Sequence, residues 1–244
     1  MKTIEIEDYK IFSDNIDCIV GDNKTVINTI NAHSYVVARE DKSFRKALIE
    51  SDVLLPDGEG ILLMAKLLGK PRLTKIAGAD IHEHLLKLAQ SGQMRCFYLG
   101  SSEPTLRAIK NRIESKYPQV SLGFYSPPFK DVFTEEDNNL MIKEVNAFNT
   151  DFLFVGMTAP KQEKWVNQHR DALNVRAIAS IGAVFDFVAE TKKRAPDMVI
   201  NLKMEWLYRA LTSWRLTKRY LYSNPIFIKA LISEYFKRMS NKKN

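Results

Sequence analysis

Apolar and polar residues alternate along most of this 244-residue chain in a way that separates strands from helices. Between Thr25 and Gly182, short apolar runs are followed by stretches whose apolar residues recur at helical spacing. This order is typical of parallel strands joined by crossover helices. The predicted strands span residues 26–30, 53–55, 95–99, 120–124, 151–155 and 175–180. We therefore expect an α/β fold in which a mainly parallel sheet is flanked by helices.

Helices are indicated by capping residues and by apolar spacing. Residues 80–90 place three apolar side chains on one helical face. Thr134 precedes three acidic residues, which predicts an N-cap with favourable charge in the first helical turn. Beyond Pro196 the strand pattern stops, and we expect two or three helices, the last of them opened by Pro225.

Charge divides the chain at about residue 200. Residues 201–244 contain ten basic and two acidic residues, a balance of +8, whereas the whole chain carries +7. We therefore expect a nearly neutral globular domain, 1–200, and a basic helical appendage, 201–244. The appendage is also rich in aromatic residues, namely Trp206, Tyr208, Trp214, Tyr220, Tyr222, Phe227, Tyr235 and Phe236. Aromatic and basic side chains together favour an anionic membrane surface, although nucleic acid and a second subunit are alternative partners.

Apolar run lengths, the first residues and the cysteines indicate where in the cell the protein works. The longest apolar runs are far shorter than the roughly 20 residues that cross a bilayer. The first ten residues lack the apolar segment of a secretory signal. Cys18 and Cys96 stand apart, so neither a disulfide framework nor a cysteine zinc site is indicated. We expect a cytoplasmic protein that is at most peripheral on the inner face of the cell membrane.

Glycine turns follow two of the predicted strands. Gly100 and Gly156 each come at a strand end and precede a helix that starts within a few residues. Such a turn lets a ligand approach the backbone, and the free N–H groups of the helix start can bind an anion. A nucleotide diphosphate is a ligand of this kind.

Three polar clusters would lie at the carboxyl ends of strands, where open parallel sheets bind their ligands. Asp57 follows the second strand and is itself followed by Gly58 and Gly60, so it is a candidate general base or sugar ligand. The alternative is that Asp57 is only a turn residue. The remaining candidates are Gln162, which follows Pro160 and suits a polyhydroxylated ligand, and Asp186, which follows Gly182. Glu163 and Asp186 also fit ordinary helix-start chemistry.

Metal chemistry is not supported by the sequence. His82 and His84 are two residues apart, so on a helix they point to different sides, and we expect a solvated helix face. The chain contains no Asp-x-Asp motif.

Taken together, these segments resemble the WecG/TagA/CpsF family of bacterial glycosyltransferases, glycosyltransferase family 26. The matching segments occur in family order: 29–32 (TINA), 55–60 (LPDGEG), 77–80 (AGAD), 155–163 (VGMTAPKQE), 182–187 (GAVFDF), 193–196 (KRAP), 205–209 (EWLYR), and 218–220 (KRY) with 224–225 (NP). The resemblance implies an inverting, metal-independent transfer of a sugar from a UDP donor to a polyprenyl-diphosphate-linked acceptor, without a cofactor. It places the reaction in the synthesis of teichoic acid, capsule, exopolysaccharide or enterobacterial common antigen. It also implies a Rossmann-like catalytic domain, a membrane-docking appendage that helps to close the active site, and a tendency to self-associate.

The resemblance also assigns roles to residues of this chain. Asp57 falls on the catalytic base, and Gln162, Arg209, Arg215 and Arg219 are the other catalytic candidates. Substrate-binding candidates are Thr29, Asn31, Gly58, Gly60, Lys75, Asp80, Gly100, Gly156, Pro160, Gly182 and Asp186. The family commonly has arginine where this chain has Lys75, and lysine cannot form the bidentate fork of an arginine. The donor sugar is left open among N-acetylmannosamine, its uronic acid and glucose.

Two other functions are compatible with parts of the sequence. A non-catalytic sugar-nucleotide or nucleic-acid-binding protein could use the basic appendage on phosphates, and its binding would fall steeply with salt. A nucleotide-dependent oxidoreductase is disfavoured because no Gly-x-Gly-x-x-Gly follows a predicted strand.

Overall fold

The computed structural model describes residues 1–190 and 214–241, and within them one sheet forms the centre of the molecule. Its eight strands have the spatial order β1-β2-β4-β3-β8-β7-β5-β6. The strands are β1 (Thr3–Ile6), β2 (Tyr9–Phe12), β3 (Thr25–Ile30), β4 (Val53–Pro56), β5 (Arg95–Gly100), β6 (Ser121–Tyr125), β7 (Phe152–Gly156) and β8 (Ala177–Ser180). β1 pairs with β2 in antiparallel fashion, and the other neighbouring pairs are parallel. The six predicted strands are therefore confirmed, and the β1–β2 hairpin adds an edge that the sequence analysis did not predict.

Helices cover the sheet and connect its parallel strands. They are α1 (Ala32–Glu40), α2 (Lys42–Ile49), α3 (Glu59–Leu67), α4 (Gly78–Gly92), α5 (Glu103–Lys116), α6 (Glu135–Ala147), α7 (Lys161–His169), α8 (Gly182–Val188) and α9, described over Trp214–Asn241. Thr134 caps α6, as predicted, by accepting a hydrogen bond from the backbone N–H of Asp137. The architecture is the expected Rossmann-like α/β fold with a helical C-terminal segment.

Central strands carry apolar residues on both faces because helices cover both sides of the sheet. Every residue of β4, β7 and β8 is buried. Aromatic side chains fill part of the core on one side, where Tyr98 lies 4.9 Å from Phe154 and 5.3 Å from Phe185 between ring centroids. The rigid sheet fixes the positions of the loops at its carboxyl edge.

The helix α9 packs on the domain instead of standing apart from it. Phe227, Ala230 and Leu231 are buried in the same apolar cluster as Tyr35 of α1. The rings of Tyr35 and Phe227 meet edge to face with centroids 5.4 Å apart. This contact packs the C-terminal helix against α1, in an apolar cluster that also contains residues of β1–β4.

The prediction that Pro225 opens the last helix is wrong. Proline lacks an N–H and crowds the preceding turn, so it usually marks a helix start or end. Here Pro225 lies inside α9, which continues on both sides of it. Ser223 and Phe227 are buried on either side, and the Ser223 hydroxyl donates to the carbonyl of Arg219 at 2.8 Å. Packing of these flanking residues holds the helix together across the proline.

None of the helices in the described segments has the length and apolar character needed to cross a bilayer.

Candidate functional site

A deep cleft of about 1860 Å³ opens at the carboxyl edge of the sheet. Its walls come from the loops after β3, β4, β5, β7 and β8, and α9 contributes residues from the opposite side. Carboxyl ends of parallel strands are where open α/β sheets bind ligands. The cleft is larger than the roughly 300–1,000 Å³ of a pocket for one small molecule, so it can hold two substrates.

Asp57 lies in this cleft immediately after β4. Its backbone N–H donates to the carbonyl of Ile30 at 2.9 Å, which ties the loop to the end of the neighbouring strand β3. Gly58 follows with φ of 116°, a conformation that glycine adopts readily and other residues rarely. The turn thus holds the half-buried Asp57 in the wall of the cleft.

The end of β3 supplies Thr29 and Asn31, and both line the cleft. Asn31 is also the N-cap of α1, and its side-chain oxygen accepts hydrogen bonds from the N–H groups of His33 and Ser34, each at 3.0 Å. The cap uses the amide oxygen of Asn31 and holds the side chain in one orientation.

The loops after β7 and β8 are joined by Gln162. Its Oε1 accepts a hydrogen bond from the N–H of Gly182 at 3.2 Å, and its Nε2 donates to Glu163 Oε1 at 2.9 Å. Gln162 and Glu163 are both buried and line the cleft. An amide and a carboxyl group are therefore fixed side by side at the floor of the cleft.

Glu163 has an unusual environment for a residue in the first turn of a helix. Burial raises its pKa to about 7, against the opposing effects of the Gln162 hydrogen bond and the nearby Arg219 charge. In the sequence, Glu163 fits ordinary helix-start chemistry, and it was not predicted as a site residue. Its position beside Gln162 at the mouth of a glycine turn was the available signal.

Two glycine turns approach each other where β5 and β7 end. Gly100 has φ of 108°, and a Cβ atom there would lie 2.6 Å from the carbonyl oxygen of Gly156. A larger residue at position 100 would collide with the backbone of the neighbouring turn. Gly100 and Gly156 both line the cleft, as expected for turns that approach a ligand closely.

Most of the other predicted residues also lie around the cleft. Its walls include Gly60, Lys75, Pro160, Asp186 and Arg219.

Asp80 is placed differently. Its carboxylate accepts a hydrogen bond from the backbone N–H of Ala77 at 2.8 Å and so caps α4, and its side chain does not line the cleft. Arg209 and the segments 193–196 and 205–209 lie outside the described residues. Arg215 belongs to α9, but its side chain is outside the described part of the chain.

The expectation of a solvated helix face is wrong for His82. This side chain is buried, and its Nε2 lies 2.6 Å from the hydroxyl of Tyr98. Burial lowers the pKa of His82 to about 3, so the imidazole is neutral. His84, two residues later, approaches Asp17 at 3.7 Å on another side of the helix. His82 is thus a core residue of the α4–β5 contact.

The profile of the family described as "Glycosyl transferase WecG/TagA/CpsF family" matches residues 4–241, nearly the whole chain. The chain belongs to this family. It is therefore a glycosyltransferase, as the resemblance implied.

Two curated proteins are similar to this chain over most of its length. A protein of Bacillus subtilis (strain 168) named N-acetylglucosaminyldiphosphoundecaprenol N-acetyl-beta-D-mannosaminyltransferase is 31% identical over 191 residues, which cover 78% of this chain and 73% of that protein. A protein of the same name from Staphylococcus aureus (strain NCTC 8325 / PS 47) is 27% identical over 206 residues, covering 84% of this chain and 79% of its own.

Proposed function

We propose that this WecG/TagA/CpsF-family protein transfers a sugar from a UDP donor to a polyprenyl-diphosphate-linked acceptor, with inversion and without a metal ion. The observation that carries the proposal is the position of Asp57 in the cleft, at the end of β4. The names of the two curated relatives support the acceptor class, since both act on N-acetylglucosaminyldiphosphoundecaprenol. The same names make N-acetylmannosamine the first donor sugar to test, ahead of its uronic acid and glucose.

In this mechanism Asp57 acts as the general base. An acceptor hydroxyl oxygen attacks the anomeric carbon of the donor sugar while Asp57 takes the proton of that hydroxyl. A new C–O bond forms on one face of the carbon as the bond to UDP breaks on the other, which inverts the configuration. General-base assistance of this kind contributes a factor of about 10²–10⁴ in rate.

The departing UDP carries growing negative charge, which the protein must stabilise. The N–H groups of the glycine turns after β5 and β7 can meet a diphosphate at the sheet edge. Arg219 lines the cleft from α9. Its positive charge lowers the pKa of both His33 and Glu163. Lys75 lines the cleft as well and provides a second cation. In the proposal, Arg209 and Arg215 join them when the appendage closes over the donor.

The exposed face of α9 supports docking on a membrane. Large apolar side chains point to solvent along this helix while its other face packs on the domain. The exposed apolar residues are Leu221, Tyr222, Ile226, Ile228, Ile232, Phe236 and Met239. Lys218, Lys229 and Lys237 lie among them and are attracted to anionic lipid. We infer that this face lies on the inner surface of the cell membrane, where a polyprenyl-linked acceptor is also found.

The proposal is tested by incubating the protein with a panel of UDP-sugars and a short-chain lipid-diphosphate N-acetylglucosamine acceptor. Acceptor-dependent UDP release, together with a product heavier by one sugar, is the expected result for one donor in the panel. The same assay in the presence of a metal chelator tests metal independence. Tight, salt-sensitive binding to DNA, with no turnover of any donor, would instead support the non-catalytic alternative.

A further inference from the structure

Three buried polar atoms at the floor of the cleft have no hydrogen-bond partner among the described residues. They are Nδ1 of His33, Oε2 of Glu163 and Oγ of Ser180. All three residues line the cleft, and the side chains of Glu163 and Ser180 are only 3% and 2% exposed. Buried polar groups in native proteins are normally satisfied, so three unsatisfied atoms on residues that line one cavity indicate a polar ligand.

The topology brings these residues to one place. His33 lies in the first turn of α1 after β3, Ser180 is the last residue of β8, and Glu163 lies in the first turn of α7 after β7. The three strands are consecutive neighbours in the sheet, in the order β3-β8-β7. Arg219 of α9 lines the same cleft, and its charge lowers the pKa of both His33 and Glu163. The three residues therefore lie at neighbouring strand ends in the cleft that Arg219 of α9 also lines.

The side chains of His33, Glu163 and Ser180 favour an uncharged ligand over a phosphate. A phosphate group would meet the buried carboxyl of Glu163 unfavourably. Burial and the Arg219 charge lower the pKa of His33 to about 4, so its imidazole is neutral near pH 7. A carboxyl oxygen, a hydroxyl and a neutral imidazole are complementary to the O–H and N–H groups of an uncharged, polyhydroxylated ring.

We propose that Glu163, Ser180 and His33 form a sugar-binding subsite, in which Glu163 Oε2 hydrogen-bonds a ring hydroxyl or the acetamido N–H of a substrate sugar. Gln162 holds Oε1 of Glu163 through its Nε2, and this leaves Oε2 directed to the ligand. The inference rests on the proposed transferase function and identifies which residues recognise the sugar. The sugar belongs either to the UDP donor or to the lipid-linked acceptor, and the experiment separates the two.

Two variants and one matched control test the subsite. Ser180→Ala removes a hydroxyl that is unpaired among the described residues, so we expect the empty protein to unfold at the wild-type temperature or above it. Glu163→Gln keeps the shape of the side chain and keeps an oxygen that can accept the hydrogen bond from Gln162 Nε2. It replaces the other carboxyl oxygen, which is proposed to contact the ligand, by an amide NH₂ group. Glu135→Gln is the control, because Glu135 occupies the first turn of α6, is exposed and is not one of the residues that line the cleft.

Binding of UDP and of UDP-N-acetylmannosamine is measured by calorimetry, and KM for the donor and the short-chain lipid-diphosphate N-acetylglucosamine by steady-state kinetics. We expect each subsite variant to weaken the affinity or raise the KM of one sugar substrate by about 10-fold, the effect of one lost hydrogen bond to a buried group. UDP affinity and the E135Q control should stay within about twofold of wild type. A change in donor binding assigns the subsite to the donor sugar, and a change only in acceptor KM assigns it to the acceptor.

An active wild type with unchanged constants in S180A and E163Q overturns the subsite and leaves the transferase function standing. A wild type that turns over no donor in the panel overturns the proposed function itself. If E163Q unfolds well below the wild-type temperature, S180A alone decides the question.

Discussion

Gln162 Oε1 accepts a hydrogen bond from the backbone N–H of Gly182 at 3.2 Å and thereby links the first turns of α7 and α8 across the edge of the sheet. The same amide donates to Glu163, so one side chain sets the positions of two neighbouring groups in the cleft. Glycine at position 182 is required for this approach. A Cβ atom there would lie 2.5 Å from Gln162 Oε1.

Gly182→Ala is therefore expected to displace the amide of Gln162 and to release Glu163 from its orientation. Because the colliding atom is at the end of a flexible side chain, the loss of unfolding free energy should be small, about 1–2 kcal/mol. Transfer activity should fall by about 10-fold or more, since the floor of the cleft is rearranged. Steady-state kinetics and denaturant unfolding measure the two effects. Gly21→Ala is the control, because a Cβ atom at Gly21 would meet nothing within 4 Å.

Asp57→Asn tests the proposed base. The amide keeps the size of the carboxylate but cannot accept the proton of the acceptor hydroxyl, so kcat should fall by about 10²–10⁴-fold. Affinity for UDP should change little, because the diphosphate is proposed to lie on the glycine turns. Asp22→Asn, at an exposed turn position, should leave both quantities unchanged. Near-normal turnover of the D57N variant would remove Asp57 from the mechanism.

The strands β3 to β8 were predictable from the sequence because they are short apolar runs that end in glycine or polar turns. The β1–β2 hairpin was missed, although Ile4, Ile6, Tyr9 and Ile11 alternate with polar residues, because a Glu7-Asp8 turn lacks the usual asparagine or glycine signal. Short edge strands depend on their neighbours, and here Ile11 pairs with Leu54 of β4.

Local sequence identified several residues at the cleft, yet it could not identify those whose role depends on distant contacts. The burial of Glu163 and His82 comes from the strands and helices around them. The neighbouring Gln162 was a signal that Glu163 belongs to the site, but it did not indicate that the carboxyl group is buried. Likewise, the continuation of α9 through Pro225 depends on packing of Phe227 against Tyr35. Tertiary contacts overrode local propensity at each of these positions.

Stability should depend on pH through Glu163. Its pKa rises from an ordinary 4.5 to about 7 in the folded protein, so folding favours the neutral form. The resulting stabilisation is complete below about pH 4.5 and is lost as the pH rises to about 7. A Glu163→Gln variant lacks this titration. Its unfolding free energy relative to wild type should therefore increase between pH 5 and pH 8, by up to roughly 3 kcal/mol. Denaturant unfolding at several pH values measures the difference, and a parallel pH dependence of the two proteins would contradict the buried-carboxyl assignment.

The exposed apolar face of α9 provides the last prediction. Ile232 and Phe236 are 51% and 65% exposed and lie one helical turn apart, so both can enter the boundary between lipid headgroups and acyl chains. Replacing both by glutamate should reduce binding to anionic vesicles by about 10-fold or more, because apolar contact is lost and like charge is added. Unfolding should be unaffected, since neither side chain is in the core. Leu140→Glu introduces one such charge at an exposed apolar position of α6 and should leave vesicle binding unchanged. Equal co-sedimentation of the double variant and the wild type would show that this face does not contact the membrane.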